Sequence, residues 1–128
     1  MVPFRAAVEA QDFDAATALL AEDVVFRSPI VFKPYRGKAE VSVILHAVSR
    51  VFEDFRYARE IGEEGASDHA LVFQACVGER EIEGCDFLHT NADGLIDEFV
   101  VMVRPLSGAL ALAEAMKAEL EAAGASGG

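Results

Sequence analysis

The order of local signals along this chain constrains its fold more than any single residue: two short helical segments, a strand, one long amphipathic helix, then strands up to a closing helix. Asp12, Asp23, Pro29, Pro34, Gly37 and Asp86-Phe87 mark out that order. From Lys38 to Phe52, Val41, Ile44, Leu45, Val48, Val51 and Phe52 recur at i, i+3, i+4, i+7, a pattern that outweighs the weak helix propensity of valine. Such an order reads as a small cone with an apolar cavity and one mouth. A carboxyl group inside it could do acid or base chemistry.

The remaining elements follow from punctuation. Pro3 suits a first helical turn, and Asp12 suits the N-cap of a second short helix carrying Phe13, Ala16, Leu19 and Leu20. Val24-Val25-Phe26 reads as a strand, and Pro29, Pro34 and Gly37 make the next stretch a loop in which Tyr35 and Arg36 could close the mouth. After the long helix, Phe55, Tyr57, Arg59 and Ile61 alternate with Arg56, Ala58 and Glu60, predicting a strand with Tyr57 on the face of Phe55 and Ile61. Strands are expected at about 69–77, 81–90 and 95–104, the last two joined by the Asp93-Gly94 hairpin signal. Ser107 can cap the closing helix. The expected organisation is one domain over residues 1–124 and a disordered tail over 125–128.

With 128 residues, 52% of them hydrophobic, the chain can bury roughly two-thirds of its unfolded surface. A net charge of -11 repels phosphate backbones and anionic headgroups, so neither nucleic acid nor a membrane surface is an expected partner. The opening MVPFRAAVEAQ has no apolar run of signal-peptide length, and a cytoplasmic location is expected. A hairpin turning at Gly78-Glu79-Arg80 would set Cys76 opposite about residue 82 and Cys85 opposite about residue 73, too far apart for a disulfide. His46, His69 and His89 are scattered without ligand spacing, so no metal is expected. No nucleotide, flavin or nicotinamide motif is present, and no cofactor is expected. The stretches 71–77 and 99–103 are apolar at nearly every position, which predicts a sheet buried on both faces. A second copy would cover the outer face in a homodimer; the closing helix lying there in a monomer is the alternative.

The run Gln11-Asp-Phe-Asp-Ala-Ala-Thr-Ala-Leu-Leu-Ala-Glu-Asp-Val-Val-Phe-Arg-Ser-Pro29, with Pro34, Gly37, Asp86-Phe87-Leu88 and Asp93-Gly94, resembles the superfamily of nuclear transport factor two, ketosteroid isomerase and the SnoaL-like polyketide cyclases. The resemblance implies an α+β, cystatin-like fold. In it a strongly bent antiparallel sheet wraps a long helix, with two short N-terminal helices and a C-terminal helix, usually in a dimer. Against the ketosteroid isomerase pattern, the position of the general base is Ser28 before Pro29, and that of the oxyanion-hole tyrosine is Phe4. The third polar position, a carboxylic acid kept protonated in an apolar site in that enzyme, is retained as Asp86. Since a serine hydroxyl cannot take a carbon acid's proton unaided, steroid isomerisation by that mechanism is not expected.

Asp86 lies inside the strand Gly84–His89, where a charge is costly unless paired, hydrated or neutralised. It shares a face with Leu88 and Thr90 and opposes Phe87 and His89. Either it points into the cavity with a raised pKa, or it pairs with an arginine on a neighbouring strand, or it faces water. Ser28, Tyr57 and Asp86 are the candidate catalytic set. His46 reads as a rim or solvent-side residue, His89 as part of the dimer surface, and Glu63-Glu64, Glu114, Glu119 and Glu121 as solvated faces. The expected function is a cofactor-free acid/base enzyme of the cyclase, isomerase or dehydratase kind acting on an apolar ring-containing substrate. The alternatives are a non-catalytic binder of an apolar small molecule and a dimeric protein-interaction module.

Overall fold

The computed structural model describes residues 2–122; the expected tail over 125–128 lies outside them. Its elements run α1 (Val2–Glu9), α2 (Phe13–Ala18), β1 (Leu20–Arg27), β2 (Tyr35–Arg36), α3 (Lys38–Val51), β3 (Glu53–Ile61), β4 (Asp68–Val77), β5 (Arg80–Thr90), β6 (Ile96–Arg104) and α4 (Leu106–Ala122). Asp12 caps α2 as its type and position predict, accepting from the Ala15 amide at 3.0 Å. The six strands form one sheet in the order β2-β1-β6-β5-β4-β3. This is the expected α+β cone, with one correction: the sheet is mixed. β1 and β6 pair in parallel, which the long connection of α3 and four strands between them allows, while the other four pairings are antiparallel. Within the expected loop, Tyr35 and Arg36 pair with Phe26 and Val25 as a two-residue edge strand.

Two registers differ from simple counting. The hairpin between β4 and β5 turns on Gly78-Glu79 alone, so Val77 faces Arg80, Cys76 faces Glu81 and Cys85 faces Val72, one residue from the expected partners. Gly78 has φ +60°, which a two-residue hairpin requires of its first turn position. Both cysteines are free thiols, as expected. In β3, Tyr57 pairs with Phe73 but Arg59 pairs with Val72, so two residues of β3 pass one of β4. This bulge reverses the alternation that the sequence suggests. Tyr57 is buried whereas Ile61 is 52% exposed, so they do not share a face; Glu60 turns inward instead.

The concave face packs against α3 through an aromatic layer in which Phe73 lies 4.9 Å from Phe55 and 5.5 Å from Phe52, centroid to centroid. Phe4 and Phe26 close the other side, at 5.5 and 5.3 Å from Phe99. Full burial of each such side chain is worth about 1.5–3 kcal/mol, and together these rings fix the helix inside the sheet. Within one chain the convex face stays open, apolar though its composition is. Phe87 is 41% and Met102 59% exposed there, around half-buried Val72, Cys85 and Val100. Nor does the closing helix cover it: α4 packs on the concave side, where Gly108 meets Ile82 and Leu112 joins the core.

No helix among the described residues is long and apolar enough to cross a membrane.

Candidate functional site

Between α3, α4 and the concave face lies a cavity of about 830 Å³. Its wall is mainly apolar and includes the rings of Phe4, Phe26, Phe52, Phe55, Phe73 and Phe99. All three candidate residues, Ser28, Tyr57 and Asp86, line it. The alternation of β5 sends Gly84, Asp86 and Leu88 inward, opposite Phe73, Leu71 and His69 of β4. Tyr57 stands on β3, the far neighbour of β4, so its side chain and that of Asp86 meet across β4 on the cavity side.

There the Tyr57 hydroxyl donates to Asp86 Oδ2 at 2.9 Å. Asp86 is only 6% exposed and takes no arginine partner among the described residues, which disposes of both a salt bridge and a hydrated carboxylate. Burial raises the Asp86 carboxyl to a pKa of about 7, and the Tyr57 hydrogen bond, which favours the ionised form, offsets part of that rise. Burial, and then the neighbouring Asp86 charge, push the Tyr57 phenol above its ordinary value, so it remains a donor at any working pH. Among the described residues Oδ1 has no hydrogen-bond partner and no fully buried polar side-chain atom lacks one; Oδ1 therefore opens on the cavity. A carboxyl group poised near neutrality, with one oxygen anchored and the other facing an apolar cavity, can give a proton to a ligand or take one from it.

Ser28 is at the cavity but committed elsewhere. Its Oγ accepts from the amides of Ile30 and Val31 at 3.1 and 2.9 Å, which shapes the loop at the mouth. Tyr35 lines the cavity with its ring 6.3 Å from Phe26, while Arg36 points outward. His46 is tied to the Ser42 carbonyl and to Asp14, away from the cavity, and His89 bonds Asp97 on the convex side, as their positions off the inward faces suggested.

Some cavity residues escaped sequence reading. α4 contributes Leu112, Met116, Lys117, Leu120 and Glu121, although its glutamates read as a solvated face. That reading holds for Glu114; Glu119 pairs with Arg50 of α3, and Glu121 sits at the mouth. The helix is apolar nearly all round, so its sequence carries no stripe from which to tell the cavity side. Asp54, at the start of β3 with φ +52°, also reaches the mouth.

Residues 3–99 match the SnoaL-like domain. The chain belongs to the SnoaL-like family. Two solved structures are similar to this SnoaL-like chain over most of its length. A steroid delta-isomerase from Pseudomonas aeruginosa is 43% identical, with 94% of this chain and 88% of that one covered at a TM-score of 0.88. An uncharacterised bacterial protein with a cystatin-like fold from Silicibacter pomeroyi is 39% identical, with 94% and 84% covered and the same TM-score of 0.88. An NTF2-like protein from Cytophaga hutchinsonii, 19% identical over 81% and 86% of the two chains at a TM-score of 0.63, shares the fold. No curated protein matches the SnoaL-like chain in sequence. The family shares this fold among many chemistries, so the activity has to be argued from Asp86 and its surroundings.

Proposed function

We propose that this SnoaL-like protein is a cofactor-free acid/base enzyme of the isomerase, cyclase or dehydratase kind, in which Asp86 moves a proton on an apolar ring-containing substrate. The observation that carries the reading is the buried 2.9 Å hydrogen bond from Tyr57 to Asp86 at the wall of an aromatic cavity. Tyr57 holds Oδ2 still, and Oδ1 faces the bound ring. In the ionised form Asp86 takes a proton from a carbon beside a carbonyl; protonated, it returns that proton to another position of the same molecule. The likeness to a protein named steroid delta-isomerase supports an isomerisation of this type. Ser28 and Phe4 stand where the familiar ketosteroid isomerase pattern has its base and a donor, so one carboxyl group would have to serve as both acid and base.

The test is a fused-ring ketone whose double bond is one position out of conjugation, followed by the ultraviolet absorbance of the conjugated product. Wild type should turn it over, and Asp86→Asn should lose about 100- to 10,000-fold in kcat while binding the conjugated ketone nearly as well. The vacancies at Ser28 and Phe4 favour a second reading, a binding protein in which Asp86 orients one ligand hydrogen bond. Tight binding of the ketone with no turnover in wild type would select it.

The same reading takes the convex face as the contact with a second copy, since Ile61, Phe87 and Met102 leave there an apolar surface that neither α4 nor any other described element covers. Light scattering at micromolar concentration should give twice the chain mass. A mass of one chain would overturn the dimer without touching the site.

A further inference from the structure

Over the ring of Tyr57 stands a charge that the proton chemistry described above does not use. Arg5, on α1, places its guanidinium carbon 5.9 Å from the centroid of the Tyr57 ring. It is held there from two sides: Nε is 3.3 Å from Glu9, one turn on along α1, and Nη1 is 3.3 Å from Glu60 of β3. The pair to Glu60 exists only because of the bulge after Tyr57. In unbroken alternation Tyr57 and Glu60 would face opposite sides of the sheet; the extra residue turns both toward α1. The bulge thus brings one strand's ring and one strand's carboxylate to the same guanidinium.

We infer that Arg5 is a positioning residue for the Tyr57–Asp86 pair, fixing the Tyr57 ring and strengthening its hydroxyl as a donor to Asp86. A cation over an aromatic face is attracted by the ring's electrons and draws density from them, which makes the attached O–H more acidic. A stronger donor stabilises the Asp86 carboxylate against its protonated form. Arg5 therefore acts on the readiness of Asp86 to give or take a proton without touching the substrate. The side chain is 32% exposed, enough for solvent to moderate the effect but not to abolish it.

The inference rests on Asp86 being the proton-handling group, and its test separates the two claims. The Asp86 carboxyl is titrated by carbon NMR in wild type, Arg5→Met and Arg5→Lys, each also in a Tyr57→Phe background. Wild type should titrate near 7. Arg5→Met should raise the midpoint by about half a pH unit, the size expected of a partly exposed cation over a ring. Arg5→Lys, which keeps a cation, should return it toward the wild-type value, and in the Tyr57→Phe background Arg5→Met should have no effect. A wild-type midpoint near 7 that Arg5→Met leaves unmoved overturns the role of Arg5 alone. So does a rise of equal size with Phe at position 57, which would make Arg5 a general field and not a partner of Tyr57. A wild-type midpoint at or below about 4 overturns the reading of Asp86 itself, and the role of Arg5 with it.

Discussion

Asp86→Asn is expected to remove a pH dependence of stability that wild type carries between about pH 4 and pH 7. In the unfolded chain the Asp86 carboxyl loses its proton near its ordinary value of 3.8, whereas in the folded chain burial holds that proton to about 7. Below both values the two states are protonated alike and the group costs nothing. Between them the folded state binds the extra proton, so each step up in pH withdraws stability; above about 7 the loss is complete. At about 1.4 kcal/mol per unit of pKa, the interval amounts to about 4 kcal/mol, a large part of a small domain's total. Asparagine keeps the shape and cannot ionise. The other carboxylates of this acidic chain titrate in both proteins, so the informative quantity is the difference between variant and wild type. Urea unfolding at pH 4, 5.5 and 8 should show Asp86→Asn gaining steadily on wild type. Parallel stability curves would mean that Asp86 ionises in the folded protein as it does in water.

The second large effect concerns the cavity wall. Phe73 is 1% exposed, stacks on Phe55 and meets Phe52 at a tilt, while its ring lies directly over Gly84 on the neighbouring strand. A Cβ built at Gly84 would stand 2.3 Å from Phe73 Cζ and 2.8 Å from the Met102 carbonyl oxygen. Glycine is there because the ring occupies the place of its side chain. Phe73→Ala should cost about 3–5 kcal/mol through lost burial and the void it leaves, and Gly84→Ala about 1–3 kcal/mol through overpacking. The two share one volume, so they should not add: with the ring gone, the methyl at position 84 enters space already empty and only the carbonyl contact still opposes it. Denaturation of the double variant should show a total cost clearly below the sum of the singles. Additivity would mean that the Gly84 methyl is resisted by the backbone and not by Phe73.

How much of this was legible beforehand varies residue by residue. The long helix, the Asp12 cap and the Asp93-Gly94 hairpin were readable, because each depends on a period or a turn preference spanning a few neighbouring residues, whereas alternation placed Asp86 on the face of Leu88 without saying which way that face points. The side of β3 that carries Glu60 was not, because a bulge depends on how two strands fit together and leaves no mark in the alternation of one of them. The sequence alone named Tyr57 and Asp86 as candidates but could not pair them. Their hydrogen bond spans β4, and only strand order and register bring them within reach. Ser28 shows the converse: position and residue type suggested chemistry, and the loop's own amides had taken the hydroxyl.

The sequence by itself therefore determined the elements and the presence of one carboxyl group inside a strand, and its motifs carried the resemblance to the family. The elements follow from short-range rules of periodicity, capping and turn geometry acting along the chain. The tertiary structure alone decided that the carboxyl is dry and faces inward, that its partner is a phenol and not a guanidinium, and that Arg5 stands over the ring of that phenol. These are properties of groups distant in sequence whose burial and contacts come into being only when the sheet closes over its helix, and it is burial that sets the energy of a charge.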